Sequence, residues 1–195
     1  MSKKLDEMTN DELWQLFPII LTPYQESWKL AYETEKEILF RAFGNEIVRI
    51  NHIGSTSVPG LTAKPTIDIL LEVDEDIDIS MFHQKAIKLG YLVSVQHENP
   101  APHLLLKRGY TELGFVGQAY HIHVRYPGDW GELYFCDYLR NHPSICMEYE
   151  DLKYHLQKQY EHNRNKYTEG KSDFILSITQ RAKDEYQNRY KPLGK

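Results

Sequence analysis

Residues able to do chemistry gather first in Ile47 to Val73, IVRINHIGSTSVPGLTAKPTIDILLEV. The pattern predicts a strand, a turn of small residues, a constrained loop and a second strand. Ile67, Ile69, Leu70, Leu71 and Val73 form a nearly continuous apolar run, as in a strand buried on both faces. Asp68 interrupts it. A carboxylate among aliphatics is costly unless it is hydrogen-bonded, paired or bound to a cation. The Gly54-Ser55 turn lets an anion approach the backbone closely. An anion-friendly turn beside an isolated carboxylate outlines a site for a metal–phosphate ligand.

The second stretch is Ala119 to Tyr126, AYHIHVRY. Side chains alternate along a strand, so His121, His123 and Arg125 share one face. Two imidazoles projecting together suit a metal or a phosphate, and against the Asp68 strand they would converge on the Gly54-Ser55 turn. The alternative is a pair of polar residues on an open sheet face. Asp68 has its own alternative, a buried carboxylate bonded to the neighbouring loop. Lys64 either neutralises a phosphate or is solvated. The Ser55, Thr56 and Ser57 hydroxyls either bind phosphate or metal, or cap a short helix. Asp137 and Arg140, three apart, read as a structural ion pair. Trp14, Trp28 and Trp130 read as core. Gly-x-Ser-x-Gly, Walker A, CxxC and His-Glu-x-x-His motifs do not occur.

The elements that position these residues follow from periodicity and caps. Thr9 or Asn10 starts a short helix that Pro18 stops, and Ile19 to Leu21 reads as a short strand or an extended segment. Gln25 to Phe43 is a long helix closed by Gly44-Asn45. After Val73 the acidic Asp74 to Asp78 is a solvated turn feeding a helix from Ser80, as N-cap, to Leu89. Strands are predicted at Tyr91–Gln96 and Leu104–Lys107, then a turn region from Arg108 to Gly117 that reads as a hairpin. From Asp129, taken as an N-cap, the chain reads as helical: a first helix to His142-Pro143, a second from Ser144 to Tyr160 and a third from Ser172 to Tyr190. The polar link EHNRNKYTEGK reads as a mobile loop. Residues 1–195 are expected to form one domain, with an N-terminal extension (1–24), a sheet core (25–128) and a helical part (129–195).

The chain has 195 residues, 41% hydrophobic and 26% charged, which suits a soluble globular domain. A formal net charge of −5 argues against general nucleic-acid binding. With Cys136 and Cys146 the only cysteines and no signal-peptide or membrane-helix pattern, the expected location is cytoplasmic, away from membranes.

The IGSTSVPGLTAKPTIDI stretch, the HIHV strand, FCDYLRNHP, EYEDLK and YTEGKSDFI resemble the GrpB family over about Trp28 to Ala182, and LWQLFPIIL resembles its Firmicutes branch. The resemblance implies an α+β, nucleotidyltransferase-like (polymerase-β-like) fold: a mixed β-sheet core with flanking helices and a C-terminal helical group. In that fold a Gly-Ser turn leads to a strand with two acids two residues apart, and a third acid lies on a neighbouring strand. Gly54 and Ser55 match the turn and Asp68 the first acid. Leu70 stands at the second acid's place, and His121-x-His123 at the third's. Some relatives are fused to dephospho-coenzyme A kinase, which points toward coenzyme A metabolism.

Two functions are expected from this. The first is a metal-dependent nucleotidyl or phosphoryl transferase acting on a nucleotide or phosphorylated small molecule. Asp68 and His123 would be catalytic, and Asp68, His121 and His123 would hold Mg, Mn or Zn. Gly54, Ser55, Thr56, Ser57, Lys64, Arg140, Lys153 and Lys171 would bind phosphate and substrate. The second is a binding module of the same fold that carries such a metabolite without turning it over.

Overall fold

A computed structural model describes residues 3–192. Its centre is a five-stranded mixed sheet in the order β1-β2-β5-β4-β3. The strands are β1 (Ile47–Ile53), β2 (Thr66–Val73), β3 (Leu92–Val95), β4 (Leu104–Thr111) and β5 (Gly114–Arg125). β2 runs parallel to β5, and the other pairs are antiparallel. The helices are α1 (Asn10–Leu16), α2 (Ser27–Phe43), α3 (Ile79–Lys88), α4 (Gly131–Asn141), α5 (Pro143–Tyr160), α6 (Arg164–Glu169) and α7 (Ser172–Tyr186).

β2 is apolar at almost every position because both of its faces are covered. Ile67, Ile69, Leu71 and Val73 pack with Trp28, Leu39 and Phe43 of α2 and Phe82 of α3. On the other face, Leu70 joins Ile53, Leu133, Tyr134 and Ala182 in a second core under α4 and α7. Asp68, Leu70 and Glu72 share this second face. Glu72 is fully buried beneath Arg49, which grips both of its oxygens; the Gly128 N–H and Trp130 Nε1–H also donate to it, at 2.9 and 3.1 Å.

Several predicted elements are corrected. The turn region from Arg108 to Gly117 is a hairpin as expected, but its strands run further into it: β4 extends to Thr111 and β5 begins at Gly114. Its bulge falls at Gly109, where φ is +88° and a Cβ would lie 2.6 Å from the Gln118 carbonyl, so only glycine keeps the strands paired. Asp78, not Ser80, caps α3, accepting from the Met81 N–H at 3.0 Å. Asp129 caps nothing; its carboxylate takes the Tyr134 hydroxyl and Lys183 instead. Ile19–Leu21 forms no strand, only a single bridge between Thr22 and Ala63 beside it. The expected mobile link contains α6, capped by Asn163, whose side chain accepts from the Lys166 N–H. Trp28 is core as expected, whereas Trp14 and Trp130 are half-buried. Among the described residues no helix is long and apolar enough to cross a membrane, and both cysteines are free thiols.

Candidate functional site

The α4–α5–α7 group covers the second sheet face over β1 and β2 but leaves β5 open beside α6. The result is a cleft of about 690 Å³ floored by Asp68, His121 and His123. Register produces this convergence: parallel pairing sets Asp68 opposite His121 and Leu70 opposite His123. His121 Nδ1 lies 3.3 Å from Asp68 Oδ1, and His123 Nε2 lies 3.7 Å from the same oxygen. The Tyr110 hydroxyl is 2.7 Å from His121 Nε2, and Arg164 Nη2 approaches that nitrogen at 3.5 Å.

These partners define protonation. Burial holds His121 down to about 4 despite the neighbouring carboxylate, so at neutral pH the ring is uncharged. Its Nδ1–H then donates to Asp68 while Nε2 accepts from Tyr110. For Asp68, burial alone would raise the pKa; hydrogen bonding from His121 and the approach of His123 outweigh it and hold the carboxyl far below its usual range. Asp68 is therefore an ionised carboxylate facing the cleft.

The Gly54 turn fits tightly over it. Gly54 has φ +71°, and a Cβ there would lie 2.7 Å from Asp68 Oδ2, so any side chain would collide with the carboxylate. The three hydroxyls after it divide. Thr56 is buried, donating to the Thr66 carbonyl at 3.1 Å and lying 3.0 Å from His52 Nε2. Ser57 donates to the Gly54 carbonyl and receives Arg140. Ser55 lines the cleft beside the Tyr149 hydroxyl.

The basic residues also divide. Arg140, expected to bind phosphate, lies outside the cleft lining; its guanidinium ties α4 to the Ser57 carbonyl and hydroxyl and to Asp137. Ser57 lies outside with it. Lys64, Lys153 and Lys171 do line the cleft. Buried Lys153 donates to the Thr62 carbonyl, so part of its bonding capacity braces α5 against the loop before β2. Lys171 Nζ stands 4.5 Å from the centre of the Tyr167 ring, and Lys64 Nζ 5.8 Å from it. Burial pushes Lys64 down to about 7, reinforced by Arg164 and Lys171. Lys153 is pushed to about 7 and Lys171 to about 8, again chiefly by burial. None of these lysines, nor Arg164, has a carboxylate within ion-pair distance among the described residues.

The residues present do not make the expected metal centre. Both nitrogens of His121 are already committed, Leu70 is buried core where a second acid would stand, and Asp68 and His123 alone remain. Among the described residues no group of three or more His, Cys, Asp or Glu is placed to hold an ion. A two-metal site needs several carboxylates.

Arg164, Tyr167 and Tyr110 were missed in the sequence. The signal was Asn163 before a short run with a single aromatic, a helix start inside the polar link.

With fold and site in view, relatives can be compared. The GrpB protein family model matches residues 18–181, and the chain belongs to that family. It is 32% identical to the glutamate-rich protein GrpB of Alkalihalophilus pseudofirmus, over 82% of this chain and 93% of that one. It is 37% identical to the UPF0157 protein YqkA of Bacillus subtilis over 82% of its own length, but spans only 46% of that relative. The crystal structure of GrpB from Enterococcus faecalis superposes with a TM-score of 0.75 at 29% identity, covering 86% of this chain and 99% of that one. The fold is that of this GrpB structure, an α+β mixed sheet with flanking helices and a C-terminal helical group, as the resemblance implied.

Proposed function

We propose that the cleft binds a nucleotide or another phosphorylated small molecule by its phosphates. The observation that carries this reading is the convergence of Lys64, Lys153, Arg164 and Lys171 on one cleft without ion-pair partners among the described residues. Partly desolvated cations that repel one another gain most from an anion, which restores the charged forms of the lysines. Ser55 and the Gly54 turn supply small polar surface beside them. Similarity to part of a protein named dephospho-CoA kinase from Mycobacterium leprae, 24% identical over 71% of this chain, makes phosphorylated coenzyme A precursors the first ligands to try. A cytoplasmic setting goes with this reading and suits the two free thiols.

A second reading is transfer of a nucleotidyl or phosphoryl group, favoured by the ionised Asp68 with His123 at its side. Asp68 would orient the acceptor or its proton, and the cations would stabilise charge on the phosphates. Any Mg, Mn or Zn ion would be held by Asp68, His123 and the ligand's own phosphates, not by a complete protein shell.

Calorimetric titration with nucleoside triphosphates and phosphorylated coenzyme A precursors, with and without each metal, tests both. Binding that weakens in Lys171→Ala supports the phosphate reading; no heat from any ligand rejects it. Product formation that disappears in Asp68→Asn while binding persists supports transfer.

A further inference from the structure

Outside the cleft the sheet's open face continues over β4 and β3 into a second cavity of about 580 Å³, roofed by α1 and the turn before it. We propose that this cavity is a separate binding site for a small amphipathic anion, a molecule with a ring or short apolar body and one phosphate, sulfonate or carboxylate.

The anionic end is assigned by Lys107 and Arg164. Lys107 stands opposite His121 in the β4–β5 register, so its side chain leaves the same sheet face. Both residues line the cavity and both are half-buried. Neither has a carboxylate within ion-pair distance among the described residues. Burial, reinforced by Arg164, depresses Lys107, as expected of two cations sharing one enclosed space. Asp6 and Glu112 also line the cavity, but both are exposed and engage neither cation. The apolar end is supplied by Leu13, Trp14 and Leu92. Trp14 is a half-buried ring in the wall of the cavity, which suits a flat apolar partner.

Two features separate this site from the cleft. Lys107 and Trp14 line the second cavity and not the first. Arg164 lines both, and Tyr110, bonded to His121 on the cleft floor, faces the second cavity. The two spaces thus share one wall, and the second has its own cation and its own apolar surface.

The probe is 4-nitrophenyl phosphate, whose nitroaromatic ring quenches indole fluorescence on contact. Saturable quenching is expected in the full chain and is expected to vanish in Trp14→Phe, with Trp28 and Trp130 retained. Lys107→Glu should weaken the apparent affinity about 10-fold or more, as loss of a charge-assisted contact does. Lys107→Arg should restore it, and Lys107→Gln gives a milder second variant should the glutamate disturb folding, which circular dichroism would show. Absence of saturable quenching, quenching that survives Trp14→Phe, or folded Lys107→Glu and Lys107→Gln that keep the affinity of the unsubstituted chain would each overturn the proposal. Because the reporter is Trp14, failure of nucleotides to bind the cleft would leave this signal intact, so the two proposals fail separately.

Discussion

At the scale of single residues, the site is a set of charges held out of their ordinary states. Asp68 keeps its charge in a half-enclosed position because a neutral His121 donates to it and His123 approaches it. That arrangement depends on the Gly54 backbone lying where no side chain fits. Gly54→Ala therefore both strains a positive φ and drives a methyl into the carboxylate. It should cost about 1–3 kcal/mol in urea unfolding and abolish any activity that requires Asp68. Lys64 and Lys171, at about 7 and 8, carry a second prediction. A phosphate binds their protonated forms, so ligand affinity should fall as pH rises from 7 to 9. Binding at pH 8 should take up protons, detected as a dependence of calorimetric heat on the ionisation enthalpy of the buffer. Affinity flat across that range would show that these lysines do not hold the ligand. Arg140 supplies the contrast: Arg140→Ala removes its bonds to Ser57 and Asp137 and should loosen the α4–turn contact without changing ligand affinity.

At the scale of elements, β2 carries both the chemistry and the strongest internal tie. Asp68, Leu70 and Glu72 point to the same face and meet three different fates: an ionised group in the cleft, a core side chain and a clasped carboxylate. The clasp joins sheet and helical layers, since Arg49 also donates to the Gly128 and Tyr190 carbonyls. Replacing Arg49 with alanine leaves Glu72 buried with neutral donors alone. Loss of one partner of such a pair costs about 3–5 kcal/mol, so Arg49→Ala should lower the urea midpoint far more than Arg41→Ala, whose partner Glu37 is solvent-exposed. Short α6 matters for a different reason. It closes one side of the cleft with Arg164 and Tyr167, and its stability rests on the Asn163 cap and the buried Tyr167 ring rather than on length.

At the scale of the whole molecule, these shifted groups act in one direction. His52 and His121, both near 4, are depressed mainly by burial, so between about 4 and 6.5 the unfolded chain binds protons that the fold excludes. Stability should therefore fall as pH drops through that window. Lys64, Lys153 and Lys171 are depressed from 10.5 and act in the same sense at higher pH. The unfolded chain holds protons that the folded chain releases, so stability should climb from pH 7 toward 10. Buried tyrosines such as Tyr149 and Tyr167 are raised instead, and reverse the trend once unfolded tyrosines ionise. Urea midpoints from pH 4 to 11 should therefore peak well on the alkaline side of neutrality. A maximum near pH 6 would contradict the burial of these lysines.

The sequence by itself determined the elements whose physical causes are local. The apolar run of β2, the His-x-His alternation of β5, the spacing of Trp28, Tyr32, Glu35 and Leu39 along α2 and the Thr9 cap all rest on periodicity or on side chains a few residues away. Asp68 stood out because a lone carboxylate in an aliphatic run has few explanations. Only the tertiary structure decided which candidate groups are available. Thr56, Ser57 and Arg140 look like phosphate ligands in sequence. The Gly54 carbonyl and Asp137 are local partners of Ser57 and Arg140, but packing brings the Thr66 carbonyl to Thr56 and the Ser57 carbonyl and hydroxyl to Arg140. Lys64, Lys153 and Lys171 look solvated, yet folding sets them around one cleft, Lys153 buried and the other two half-buried. His121 looks like a metal ligand until Tyr110, eleven residues earlier across a hairpin, takes its second nitrogen. Desolvation and competition for hydrogen bonds depend on what surrounds a group in three dimensions, and no local pattern records them.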